Sequence, residues 1–152
     1  MSDIKKIPTH ENITGSMPEV FELIEGLEKR FKQFQGYTLK ESNLTTPQYF
    51  ILNLLSEVDG RPLKELADEL ACTRATITGI VDTLEKKGLV TRNPNRSDRR
   101  SLLVKLTERG RALLQSTPNL EKSFGSCCDV LPPDEIRELN RLLKKLSNGL
   151  PF

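Results

Sequence analysis

Apolar residues recur along the chain with a spacing that changes from helical to strand-like and back. After Pro18, the residues Val20, Ile24, Leu27, Phe31 and Phe34 follow alternating steps of four and three, with Leu23 widening the stripe. That predicts an amphipathic helix ending near Gly36. A second helix is expected from Thr45. Thr45 and Gln48 have capping-box spacing, and Pro47 suits a first turn, where its missing N–H has no partner to lose. The dense apolar run Phe50 to Leu55 should bury most of this helix, and Asp59-Gly60 ends it. Leu63, Leu66, Ala67 and Leu70 share one face of a short third helix. Ala71-Cys72 makes a turn, and Thr73 is a favourable N-cap for a fourth helix. There Ile77, Ile80, Val81 and Leu84 take the i, i+3, i+4, i+7 positions. Lys86 and Lys87 suit the negative end of its dipole, and Gly88 stops it.

The period then changes to two. Leu89 to Arg92 and Ser101 to Leu106 read as short strands, with Leu102, Val104 and Leu106 on one face. The polar loop between them is too long for a tight hairpin and should project. Thr107 caps another helix, which Pro118 should end. Residues 116–131 show no clear pattern. From Pro133 a last helix carries Ile136, Leu139, Leu143, Leu146 and Leu150 on a seven-residue repeat.

The expected fold is mainly α with a small β-hairpin wing: a winged helix-turn-helix flanked by N- and C-terminal dimerisation helices. The domains read as an irregular arm (1–16), an N-terminal dimerisation helix and linker (17–43), a DNA-binding domain (44–112) and C-terminal dimerisation helices (113–152). The apolar seams of the first and last helices could serve intramolecular packing. A homodimer is favoured, because a winged module of this size closes its own core without them, and two-fold dimers are the commonest oligomers.

At 152 residues the chain is about one domain long. Its net charge of +2 is unevenly spread: residues 61–111 carry +5 and the remainder −3. Positive charge therefore gathers on the winged module. No apolar run is long enough to span a membrane, and residues 1–15 lack an apolar signal core, so a cytoplasmic protein is expected. Three cysteines, Cys72, Cys127 and Cys128, form no disulfide framework. With one histidine, His10, and no Cys-x-x-Cys spacing, neither a metal site nor a cofactor is expected.

Opposite the apolar face of the fourth helix lie Arg74, Ala75, Thr76, Thr78, Gly79, Asp82 and Thr83. Short side chains let the backbone approach a groove, threonine hydroxyls can bond base edges or phosphates, and Arg74 can take a guanine or a phosphate. Such a turn can equally be a simple cap. The wing adds Arg92, Arg96, Arg99 and Arg100 with one acid, Asp98. Guanidinium groups suit the narrow, electronegative minor groove of A·T-rich DNA, and Asp98 can aim a neighbouring arginine. The DNA-binding candidates are thus Thr73, Arg74, Ala75, Thr76, Thr78, Gly79, Arg92, Arg96, Asp98, Arg99 and Arg100, and the partner is double-stranded DNA. A winged helix used for protein–protein contact is the alternative, although it would not need arginines at the wing tip. No paired base and nucleophile, phosphate-cradling loop or metal cluster points to an enzyme.

Several segments resemble the MarR family of transcriptional regulators: Leu66-Ala67, Thr73 to Asp82, Leu84 to Val90, Arg92, Asp98 to Ser101 and Leu106 to Gly110, together with Leu44-Thr45 and Gln48. The likeness is specific over about residues 44–114 and rests on helix order elsewhere. It implies a triangular homodimer, binding to a palindromic operator, usually as a repressor, and release by a small phenolic or lipophilic effector or by cysteine oxidation. Pro132 departs from the Ser or Thr cap that relatives often carry before the last helix. Phe31, Phe34, Tyr37, Tyr49 and Phe50 are candidates to line an effector pocket, though aromatics at helical spacing are more often core. Cys72 precedes a helix N-terminus, which invites a redox role, but a small buried hydrophobe is the favoured reading. Cys127 and Cys128 are the other redox candidates.

Overall fold

The structure is a computed structural model and describes residues 15–95, 101–127 and 129–151. It divides into two compact units between Pro118 and Asn119. The first contains α1 (Met17–Thr38), α2 (Thr46–Glu57), β1 (Arg61–Pro62), α3 (Leu63–Glu69), α4 (Arg74–Lys86), β2 (Val90–Pro94), β3 (Leu102–Leu106) and α5 (Glu108–Ser116). The second contains α6 (Leu120–Cys127) and α7 (Pro133–Asn148). The division follows α5, whereas the sequence boundary at 112/113 would have cut that helix. Its packing against α2 explains why α5 stays with the first unit.

In the first unit the core is a layer of helices against a small sheet. Tyr49, Ile51, Leu52 and Leu55 of α2, Leu66 and Ala67 of α3, and Ile77, Val81 and Leu84 of α4 are buried with Val90, Val104 and Leu106. The sheet is antiparallel in the order β1-β3-β2, with Arg61 opposite Val104 and Val90 opposite Leu106. The two-residue β1 was not anticipated, because two residues carry no readable period. Both prolines in the sheet, Pro62 and Pro94, lie on its outer strands, where a missing N–H breaks no central ladder. Val104 and Leu106 face the core as their alternation predicts, but Leu102 shares their parity and remains exposed at the outer end of β3. Asn95 N–H donates to the Ser101 carbonyl at 3.1 Å, and its side-chain amide donates to Ser101 Oγ at 2.9 Å, closing the wing's base.

Helix α1 continues through Gly36 to Thr38, past the expected stop. Gly36 takes no positive φ, and a lone glycine only weakens a helix that has other support. The Thr45–Gln48 capping box forms in both directions. Thr107 is equally busy: its hydroxyl accepts from Gly110 N–H and donates to the Gly88 carbonyl, while its own N–H reaches the Leu89 carbonyl. Close packing at this knot requires glycine at position 110, where a Cβ would lie 2.1 Å from the Leu89 carbonyl oxygen.

In the second unit, α6 occupies a stretch whose sequence gave no pattern. Pro132 starts α7 without a side-chain cap bond. None of the residues of α7 is buried, and Ile136, Leu139, Leu142 and Leu143 are 42–50% exposed.

Candidate nucleic-acid interface

The turn between α3 and α4 sets the direction of α4. Ala71 N–H bonds the Asp68 carbonyl and Cys72 N–H bonds the Ala67 carbonyl, at 3.1 and 3.0 Å. This is a Schellman termination with alanine in the left-handed position, φ 47°. Cys72, half-buried, follows directly. The same motif closes α4, with Gly88 at φ 70° and Leu89 N–H on the Leu84 carbonyl. At the start of α4, Thr73 Oγ1 accepts from Thr76 N–H, and the two hydroxyls bond each other at 2.9 Å.

Burying Ile77, Val81 and Leu84 turns Arg74, Ala75, Thr76 and Gly79 outward, all four exposed, with Thr78 half-buried beside them. Thr78 donates its hydroxyl hydrogen to the Arg74 carbonyl at 2.7 Å, and Thr83 donates to the Gly79 carbonyl at 2.9 Å. Their hydroxyls therefore meet a partner as acceptors, alongside their methyl groups. Arg74 brings a cation to this face, and the first-turn amides favour phosphate.

Arg92 sits elsewhere than expected. Its guanidinium is turned back onto α4, donating to Asp82 Oδ1 at 2.7 Å and to Glu85 Oε2, while its backbone N–H donates to Glu85 Oε1 at 3.1 Å. Only 17% of the side chain is exposed. Burial pulls its pKa down, but hydrogen bonds to Asp82 and Glu85 and their charges outweigh that and leave it raised. Asp82, read from the sequence as part of the outward face, is engaged in this clamp. The signal for it was present: acids three apart on one helix, then an arginine on the following strand.

Lys87, read from the sequence only as a charge suited to the end of α4, donates from Nζ to the Asn43 carbonyl at 2.8 Å and to Gln48 Oε1 at 3.3 Å. It ties the end of α4 to the capping box of α2. Arg96, Asp98, Arg99 and Arg100, as well as Cys128 and His10, lie outside the described residues. Cys127 is the last residue of α6.

The five aromatics do not form one group. Phe31 and Phe34 stack on α1, Tyr49 and Phe50 meet edge to face, and Tyr37 is 82% exposed. Tyr49 belongs to the core. Phe50 alone of the five lines a cleft of about 490 Å³, with Thr46, Pro47, Leu54, Glu69 and Leu70. Among the described residues, no helix is long and apolar enough to cross a membrane.

Known proteins share this arrangement. The family model for MarR matches residues 44–102. The transcriptional regulator FarR of Neisseria gonorrhoeae is 31% identical over 126 residues, covering 82% of this chain and 86% of that protein. MgrA of Staphylococcus aureus is 28% identical over 115 residues, covering 76% and 78%. A cysteine-to-serine mutant of MarR from E. coli, solved with operator DNA, superposes with a TM-score of 0.76 at 28% identity, over 86% of this chain and 94% of that one. BpsR of Bordetella bronchiseptica, described as regulated in its DNA binding by 6-hydroxynicotinic acid, gives 0.73 at 25% identity, over 94% and 99%. On the winged helix-turn-helix fold and these matches, the chain belongs to the MarR family of DNA-binding transcriptional regulators, which are not enzymes.

Proposed function

We propose that this regulator binds a palindromic operator as a homodimer and acts in the cytoplasm as a repressor. The observation that carries the DNA-reading part is the exposed half of α4: Arg74, Ala75, Thr76 and Gly79 face outward while Ile77, Val81 and Leu84 hold the helix from behind. Thr73 caps that helix, and Thr78 lies at the edge of its outward face. The wing arginines Arg96, Arg99 and Arg100, with Asp98 to orient one of them, would enter the adjacent minor groove. Two exposed apolar faces support the dimer: α1 presents Phe21, Ile24 and Leu27, and α7 presents Ile136, Leu139 and Leu143.

Selection of bound duplexes from a random-sequence library tests the reading. Half-sites related by two-fold symmetry and centred about one helical turn, ~10 bp, apart are expected. Arg99→Ala and Arg100→Ala should weaken binding and flatten its salt dependence, because the affinity slope scales with the number of phosphates neutralised. Asymmetric single sites, or binding indifferent to salt, would overturn it.

A small phenolic or lipophilic effector is the second part of the proposal. Support comes from BpsR, whose regulation involves 6-hydroxynicotinic acid, and from the cleft beside Phe50. Control through Cys72, Cys127 or Cys128 is the competing reading. Peroxide-driven release that persists when all three are serine would exclude it.

A further inference from the structure

We infer that Arg92 is a positioning residue for DNA binding, one that fastens the base of the wing to the reading helix without touching DNA itself. The inference rests on the reading above, in which α4 and the wing both engage the duplex.

Three hydrogen bonds converge here. Two guanidinium nitrogens and the backbone N–H of Arg92 reach Asp82 and Glu85, one helical turn apart on α4. The acids are not alike: Asp82 meets the guanidinium only, while Glu85 spans backbone and side chain. The bonds therefore fix both the position of β2 and the direction of the side chain. A fork with two well-placed acceptors has little freedom left to reorient, which is the advantage of guanidinium over ammonium at such a site. Ordinary backbone pairing joins β2 to β3. The Arg92 clamp adds a direct link from β2 to the helix that presents Arg74 and Thr76. Residues 96–100 come after β2 and Asn95 in the chain, so the clamp fixes, relative to α4, the strand that leads to them.

The clamp also has an electrostatic consequence. Asp82 and Glu85 place two negative charges on the helix proposed to meet phosphates. Arg92 offsets them internally, which a residue drawn away to DNA could not do. This makes opposite predictions for the two roles. If Arg92 were a DNA ligand held in reserve, removing the acids would free it and remove repulsion, so affinity would rise. If it positions the wing, removing the acids breaks the clamp, and affinity falls although negative charge has been taken away.

The test is a thermodynamic cycle on the operator duplex recovered by selection, with full-length protein at a temperature well below each variant's thermal midpoint. Arg92→Met, the pair Asp82→Ala with Glu85→Ala, and the triple variant are each titrated over a range of salt. The expected result is a tenfold or greater loss in each of the first two, a flatter salt dependence in both as wing contacts are lost, and no further loss in the triple variant. Arg92→Lys, which keeps the charge but not the fork, should recover only part of the affinity. Affinity that rises on removing the acids, or losses that simply add, would overturn the inference. Should Arg92→Met fail to fold, the acid pair alone decides the sign, because alanine suits a helix interior. Arg74→Ala and Thr76→Ala run in parallel keep the two levels apart. If neither weakens binding, the reading of α4 itself has failed; if both do and the cycle goes the wrong way, only the role of Arg92 has.

Discussion

Helices α4 and α7 are both amphipathic, and they end in opposite states. In α4 the stripe Ile77, Val81, Leu84 is buried by α2, α3 and β2 of the same unit. In α7, Ile136, Leu139 and Leu143 at the same kind of spacing are 42–50% exposed, and none of the helix is buried. The difference shows that periodicity announces a face to be covered and says nothing about what covers it. One helix is finished by its own chain. The other keeps an exposed apolar face, the kind of patch that marks an interaction site.

Breaking each stripe sharpens the contrast. Leu84→Ala should cost about 2–5 kcal/mol, as a buried leucine does when it leaves a cavity. Urea unfolding should register that loss at every protein concentration. Replacing Leu139 and Leu143 together by aspartate should act differently. The fold of the first unit should survive, sedimentation should shift from dimer to monomer, and operator affinity should drop by roughly 100-fold as two linked half-site contacts become independent. An unchanged sedimentation profile would remove α7 from the interface.

The closed region also has a point of no tolerance that the open one lacks. Gly110→Ala places a methyl group against the Leu89 carbonyl and the Leu106 side chain, and should destabilise by about 1–3 kcal/mol or more through overpacking. Gly79, on the outer face of α4, has nothing within 4 Å of a Cβ. Gly79→Ala should therefore raise the thermal midpoint, since glycine in a helix interior costs roughly 0.5–1 kcal/mol relative to alanine. Any loss of operator affinity in that variant would then report contact with DNA and not a weaker fold.

The smallest effects concern the two Schellman ends of the helix-turn-helix. Ala71 takes φ 47° where Gly88 takes φ 70° in the equivalent place. Ala71→Gly should stabilise and Gly88→Ala should destabilise, each by about 1 kcal/mol or less, because only glycine enters the left-handed region without penalty. Equal signs in calorimetry would show that the two turns are not equivalent.

Most of the winged module was legible along the chain. Thr45, Thr73 and Thr107 act through bonds that span three residues, so their capping is encoded locally and forms as expected. The stop at Gly36 was misplaced because a helix end needs a reason to stop, and a single glycine in an otherwise helical run is a weak one. The region after Pro118 was unreadable because α6 is short and its stripe has too few turns to declare a period.

The candidate site was legible in part for a similar reason. Ile77, Val81 and Leu84 determine which face of α4 turns outward, so Arg74, Ala75, Thr76 and Gly79 could be named in advance. Arg92 was grouped with the other wing arginines, because the pattern of two acids on one helix and an arginine on the next strand shows that a pairing is available, not that it forms. Its partners lie seven and ten residues back, on another element. Lys87 likewise reaches Asn43 and Gln48 across some forty positions.

By itself, then, the sequence determined every helix except α6, the threonine caps, the wing's two strands and the outward face of α4, because those depend on backbone preferences and on periods a few residues long. Only the tertiary structure decided that Arg92 clamps α4, that Gly110 admits no side chain and that Phe50, unlike its buried neighbour Tyr49, lines a cleft. Each of those depends on which distant surfaces meet, and a period along one strand or helix carries no information about its neighbour.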